Sequence, residues 1–435
     1  MAATGTWSVG PRLGPTQCEG FSGFGALRCR HCRAPLATTL VDLGSAPPSN
    51  ALLSGDEIES PEIRLPLRVL VCEQCWLVQT EDHASATELF TESYPYFSGF
   101  SSSWVEHCKT YVDEIIDRFD LGPTTRLVEI GANDGSLLQQ AIARGVPCTG
   151  IEPTRGPAAV ARSKGIPIVE DFFGVSLARR LVDNGMRANV TIGTNVLAHV
   201  PDINDFVDGV AILLSNGGVA SFEFPHLLNL IAKNQFDTIY HEHFSYLSLT
   251  AAAHVFAASG LDVFDVEQQP THGGSLRVFV QSAKEQKYQR TQAVSDLLDA
   301  EDLAGVRKRE FYSGFQPRVD GIRHGFLSLL ADVKKAGKKI VGYGAAAKAN
   351  TLLNYAGVDT HLIPWIVDRN PAKQGRLMPG SRIPIVSEDC LREARPDFVI
   401  LFPWNIEHEL VEQLRYVRDW GAQFVVAIPE LRVFA

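Results

Sequence analysis

RLVEIGANDGSLLQQAIARG, residues 126 to 145, runs from a β-rich apolar stretch through a glycine-bounded turn into a segment with helical spacing. Strand, tight turn and helix in that order build a parallel sheet covered by helices. The alternation continues through VPCTGIEPT, ANVTIGTNVLAHV and GGVASFEFP. It starts afresh at KKIVGYGAAAKANTLLNYAGV and runs through HLIPWIVDRN, DFVILFPW and QFVVAIPE. Between the two sets, residues 282 to 335 are charged and helix-favouring, which predicts a domain junction there.

At 435 residues the chain exceeds what one core supports. Four segments are predicted: a flexible tail at 1–25, a metal-binding domain at 26–92, a central α/β domain at 93–290, and a second Rossmann-like domain at 291–435. The formal charge of -10 argues against nucleic acid as a partner. No apolar run reaches the ~18 residues of a membrane span, and no signal peptide is expected. No heptad or apolar patch specifies an oligomeric state.

Eight cysteines are present, and four form two CxxC pairs: Cys29 with Cys32, and Cys72 with Cys75. Paired thiolates on two tight turns suit a tetrahedral zinc ion, and the remaining cysteines are scattered, as expected in a reducing cytoplasm. His31 and His83 are spare candidates, but four sulfurs saturate the ion. A saturated zinc has no open position, so its expected role is structural.

In the first glycine loop, Glu129, Gly131, Asn133, Asp134 and Gly135 surround the turn. Carboxylates there repel phosphate and suit an amino- or hydroxyl-bearing ligand. Glu152, at the end of the next strand, can accept from ribose hydroxyls, and Asp171 with Phe172 offers an acid and an apolar face to an adenine. This ordered set resembles the S-adenosylmethionine site of class I methyltransferases. A dinucleotide loop is disfavoured, because GANDG departs from G-x-G-x-x-G and Asp134 would face the pyrophosphate.

Ligands of open α/β sheets lie beyond the carboxyl ends of the strands, where TNVLAHVPD places Asn195 and His199. FDTIYHEHFSYLS, residues 236 to 248, is predicted at the rim of the same crevice. In an extended segment His241 and His243 would share one face and could chelate a metal, but no further ligands stand at suitable spacing. The segment also reads as a polar turn, or as an acid/base centre in which a carboxylate orients a histidine.

The two CxxC pairs, EIGANDGSLL, TNVLAHVPD, TIYHEHFSYLS, HGGSLRVF and GYGAAAKANTLLNY occur in the order found in bacterial sugar C-methyltransferases, which this chain resembles from about residue 26 onward. The resemblance implies S-adenosylmethionine-dependent methylation of a nucleotide-linked ketosugar, with a dTDP-ketosugar expected, at the carbon beside the ketone, in deoxysugar and antibiotic biosynthesis. It makes His243 the general base, with Tyr240, Glu242, His199, Asn195 and Tyr94 around the sugar and Tyr96 on a possible lid. The rival readings are a methyltransferase acting on oxygen, nitrogen or a non-sugar carbon, and a zinc-bearing interaction protein without activity.

The second glycine loop holds Gly342, Tyr343, Gly344 and Lys348, with Asp368 26 residues after Gly342. Alone it matches a dinucleotide fingerprint. The resemblance redirects it to the nucleotide end of the substrate, with His272 and Arg277 of HGGSLR as further candidates. HGGSLR also reads as a plain hairpin turn, and Arg277 as a surface salt bridge.

Overall fold

The computed structural model describes residues 27–90 and 97–435. The predicted tail at 1–25, Tyr94 and Tyr96 lie outside the described residues.

The central sheet has seven strands in the spatial order Leu261–Gln269, Ser275–Ser282, Leu214–Pro225, Ala188–Thr194, Leu127–Ile130, Cys148–Ile151 and Ile168–Val169. Five strands run parallel from 168–169 to 214–225; Ser275–Ser282 is inserted antiparallel to both neighbours. The chain reverses its winding between Leu127–Ile130 and Ala188–Thr194, and their carboxyl ends open the crevice where ligands of such sheets bind.

The C-terminal sheet has six strands in the order Ile385–Val386, Ile366–Val367, Ile340–Tyr343, Phe398–Leu401, Gln423–Val426 and Arg432–Phe434. All pairs are parallel except the last. The charged 282 to 335 region contributes the helices Gln292–Ala304, Arg309–Ser313 and Phe315–Lys335. The first of these is pinned to the central domain by buried Glu301, which accepts from Leu249 N, Thr250 N and Thr250 Oγ1 and pairs with His226 Nε2 at 2.7 Å.

The N-terminal sheet is not closed on itself. Thr38–Ala46, Leu65–Val71 and Val78–Thr80 are followed by Ser245–Tyr246, so the fourth strand comes from the motif-rich segment predicted at the rim. Its apolar face joins one core with Phe236, Ile239, Phe315, Leu352 and Ile400, which ties all three regions together. Each large apolar side chain withdrawn from water there contributes ~1.5–3 kcal/mol. No helix among the described residues is long and apolar enough to cross a membrane.

Candidate active site

The four cysteines of the two CxxC turns converge, with all four sulfurs within 4.8 Å of one another. Cys29 and Cys75 stand 3.5 Å apart, as do Cys32 and Cys72. Tetrahedral sulfurs at a Zn–S distance of about 2.3 Å are separated by about 3.8 Å, so this set fits a zinc ion. The spare histidines are engaged elsewhere, His31 with Asn204 at 2.7 Å and His83 with Glu81 at 2.9 Å.

At the first glycine loop, Gly135 (φ 76°) ends the turn and precedes the helix Ser136–Ala143. A Cβ there would sit 2.2 Å from Ile166 Cδ1, so only glycine lets the loop pack this closely. Gly131 faces Val196 across a gap that would leave a Cβ 3.1 Å from Cγ2, which sets the loop directly beside Asn195.

The carboxyls at this loop are unevenly satisfied. Glu129 is 3% exposed and its Oε2 has no partner; burial and the neighbouring Asp134 and Glu152 raise its pKa well above the carboxylate range. Glu152 accepts from Asn133 N at 2.8 Å and from Thr154 N at 2.9 Å, and burial raises it too. Buried carboxyls raised in this way fit a ligand that carries an ammonium group, a sulfonium charge and hydroxyl donors, because each favours the ionised form that burial disfavours. S-adenosylmethionine carries all three.

Asp134 departs from expectation, because internal partners saturate its carboxylate. It accepts from Ser98 Oγ at 2.8 Å, Ser136 Oγ at 2.6 Å and Gly99 N at 3.2 Å, with Lys164 Nζ 3.4 Å away. Burial raises its pKa, but these hydrogen bonds win and hold it low. Asn133 Oδ1 accepts from Ser98 N at 2.9 Å, so both residues fasten the segment after residue 96 onto the loop. Asp171 pairs with Arg180 at 2.5 Å, and Phe172 is 40% exposed beside it.

Beyond the strand ends, Tyr240, Glu242 and His243 lie on a tight turn closed by His243 N donating to Tyr240 O at 2.9 Å. The turn sends the two histidines of the H-x-H pair apart. His241 Nε2 goes to the Leu65 and Pro66 carbonyls at 3.2 Å, and His243 turns to the interior. This removes the chelating arrangement that an extended segment would have produced.

His243 Nδ1 lies 2.8 Å from the Thr238 carbonyl, which can only accept, so the proton sits on Nδ1 and Nε2 is bare. Tyr240 donates its hydroxyl to that Nε2 at 2.8 Å. His199 is fixed in the same tautomer by the Glu242 carbonyl at 2.7 Å, and its ring lies 4.6 Å from that of His243. Burial lowers both pKa values, to about 4 for His199 and well below 6.5 for His243, on which His199 also acts.

The expected orienting carboxylate is therefore absent, and main-chain carbonyls take its place. The Glu242 side chain turns away to Asn50 Nδ2 at 3.1 Å, with its other oxygen buried and without a partner, and burial raises its pKa. Asn195, held with φ 54°, donates to His272 Nε2 at 3.0 Å beside the same centre.

Arg277 is not at a ligand-facing surface, nor is it a surface salt bridge. It is 2% exposed, stacked 3.7 Å from the Tyr111 ring and paired with Glu223 at 2.9 Å. Burial opposes ionisation of Glu223, but the His107 hydrogen bond and Arg277 hold it at about 2. Glu223 accepts from Thr271 Oγ1 at 2.7 Å, so the network braces the turn carrying His272.

In the C-terminal loop, a Cβ on Gly342 would lie 2.6 Å from Phe402, and one on Gly344 2.4 Å from Pro403. The Asp368 carboxylate accepts from Ala345 N at 2.9 Å, occupying one amide that a pyrophosphate would use. Tyr343 packs into the opposite face of the sheet and donates to Glu388 at 3.2 Å, away from the crevice. Lys348 is hydrogen-bonded to Asn405 and stands 4.6 Å over the Trp404 ring.

Asp237 also belongs to this centre. It accepts from Trp404 Nε1 at 2.7 Å, and its Oδ1 is buried without a partner. Burial, offset by Lys348, raises its pKa to about 7; burial, offset by Asp237, lowers that of Lys348 to about 8. Asp237 sits inside the FDTIYHEHFSYLS run, but its partners Lys348 and Trp404 come from a different domain, so no local signal marks it.

The sheet order, the glycine loop and the acidic crevice define a class I S-adenosylmethionine-dependent methyltransferase. Family profiles match along the chain: a zinc binding domain at 29–90, a methyltransferase domain at 104–266 and a C-methyltransferase C-terminal domain at 270–429. C-methyltransferase NovU of Streptomyces niveus is 33% identical over 407 residues, covering 94% of this chain and 96% of that protein. The chain belongs to this C-methyltransferase family. Among solved structures, magnesium protoporphyrin IX methyltransferase of Synechocystis PCC 6803 with bound SAM aligns at 12% identity, with a TM-score of 0.34, over 46% of this chain and 100% of that one.

Proposed function

We propose that the protein methylates a nucleotide-linked keto-deoxysugar, a dTDP-ketosugar, at the carbon adjacent to the ketone, in cytoplasmic deoxysugar biosynthesis. The observation that carries this reading is the His243 tautomer: Nδ1–H is committed to the Thr238 carbonyl, which leaves Nε2 as a proton acceptor.

His243 Nε2 takes the proton alpha to the ketone, and the electron pair of the broken C–H bond delocalises onto the ketone oxygen as an enolate. Tyr240, His272 and Asn195 surround the place where that charge develops, and a donor aimed at it is worth the most in a water-poor site. S-adenosylmethionine supplies an activated methyl group. Glu129 and Glu152 would hold it, so the protein's part in the transfer is alignment and exclusion of water.

The nucleotide is assigned to the C-terminal loop, Lys348 and His272. This assignment goes with a division into 26–92, 93–290 and 291–435. Asp368 is an obstacle unless it yields Ala345 N to the diphosphate. Support for the C-terminal side is the buried cation Lys348, which acts electrostatically on both His243 and His272 and has Asp237 as a titratable counter-charge.

Incubation with methyl-labelled S-adenosylmethionine and a panel of thymidine-diphosphate ketosugars, followed by NMR, tests the reading. Label on a ring carbon beside the ketone is expected. Label on oxygen, or no transfer to any ketosugar, overturns it.

A further inference from the structure

Arg30 lies between the ligands Cys29 and Cys32, yet its side chain leaves the metal and enters the interior, where it is 5% exposed. Its Nη1 donates to the Pro201 carbonyl at 2.8 Å, and its Nη2 donates to the Thr80 carbonyl at 2.9 Å and to Asp82 at 2.8 Å. The guanidinium also stands 5.4 Å over the Phe244 ring. Its own backbone N–H donates to Gln79 Oε1 at 2.8 Å, and Gln79 Nε2 donates to Cys29 Sγ at 3.3 Å.

Pro201 follows the turn that carries His199, and Phe244 follows His243. These two segments are joined by Phe244 N donating to Ala198 O at 2.8 Å and by the His199 ring on the Glu242 carbonyl. Thr80 completes the link, with its N–H on Phe244 O at 3.1 Å and its hydroxyl on His243 O at 3.2 Å. One planar guanidinium therefore touches the zinc lobe, the end of the His199 turn and Phe244, the neighbour of His243, at once.

We infer that Arg30 is a positioning residue for the reaction: it transmits the geometry of the zinc knuckle to the His199–His243 pair. The inference rests on the proposed role of His243. The cysteine knuckle is then more than a folding device, because the residue it presents sets the separation of the two imidazoles. Only arginine serves, since lysine offers a single point charge where Pro201, Thr80 and Asp82 require a fork.

The test compares R30M and R30K with the wild type for zinc content, S-adenosylmethionine affinity, kcat, KM and the side-chain ¹⁵N shifts of histidine-labelled protein. The expected result is a full complement of zinc and cofactor affinity within about twofold, with kcat reduced about ten- to a hundredfold at little change in KM. That is the scale of a displacement near 1 Å at a reacting pair. The ¹⁵N shifts of His199 and His243, assigned with H199N and H243N, move in the variants without any substrate present.

Zinc-loaded R30M with wild-type kcat and unmoved shifts overturns the inference. If R30M loses zinc, R30K decides: reduced kcat with zinc retained supports it, and wild-type kcat overturns it. Loss of zinc in both overturns it, since Arg30 then serves the folding of the knuckle. A wild-type enzyme that transfers no methyl to ketosugars refutes the functional reading instead, and the substrate-free shifts still report on Arg30.

Discussion

Tyr240 donates its hydroxyl to His243 Nε2 at 2.8 Å, the nitrogen assigned to take the substrate proton. In the substrate-free protein the base is therefore covered, and the ketone must displace or share the phenol. H243N is expected to bind S-adenosylmethionine with wild-type affinity by calorimetry while turnover falls at least about a hundredfold. Near-normal turnover would remove His243 from the mechanism.

The pH profile follows from burial. His243 is held well below 6.5, so its neutral, proton-accepting form persists as the medium becomes acidic. A lowered pKa moves the acid limb of kcat/KM to lower pH, so turnover at pH 6 is expected to stay close to that at pH 7.5. Histidine ¹⁵N titration should find the His243 ring uncharged at pH 6; an imidazolium there would contradict the burial argument.

Gly135 provides a test of the cofactor loop. G135A places a side chain at φ 76°, with its Cβ 2.2 Å from Ile166 Cδ1. Strain in the left-handed region and overpacking together predict a loss of ~1–3 kcal/mol in thermal or urea unfolding, with weaker S-adenosylmethionine binding.

Breaking the buried pair at Arg277 is expected to cost more. R277M leaves Glu223, which has no exposed side-chain surface, without its main counter-charge, and a loss of ~3–5 kcal/mol in denaturant unfolding is expected. E223Q in the same background should recover part of that loss by removing the stranded charge.

Zinc removal by a strong chelator, or C72S, is expected to unfold the N-terminal sheet, seen as lost far-UV signal and a lowered Tm. Turnover should fall with it, because Val78 and Gln79 pair with Tyr246 and Ser245, three and two residues after His243. Full activity in zinc-free protein would separate the lobe from the chemistry.

Much of this fold is legible locally. The glycine loop, the acidic strand end at Glu152 and each CxxC pair are encoded in a few consecutive residues apiece, and short-range spacing suffices to find them. What escapes is set by distant partners. The turn of Glu242 toward Asn50 depends on a loop 192 residues away, and the burial of Arg277 depends on Tyr111 and Glu223. Asp134 has the residue type of a cofactor ligand, but Ser98, Ser136 and Lys164 claim it. Identity predicts what a side chain can do, while its neighbours decide whether it is free to do it.

The strand Ser245–Tyr246 belongs to the sheet of the N-terminal lobe although it is encoded in the middle of the chain. The lobe is thus not a cassette that recombination can exchange by cutting near residue 92. A chimera that took the lobe from one relative and the remainder from another would pair mismatched edges at Val78 and Tyr246, three residues from His243. Segment 236 to 248 would have to travel with the lobe, so inheritance in this chain is discontinuous in sequence and continuous in space.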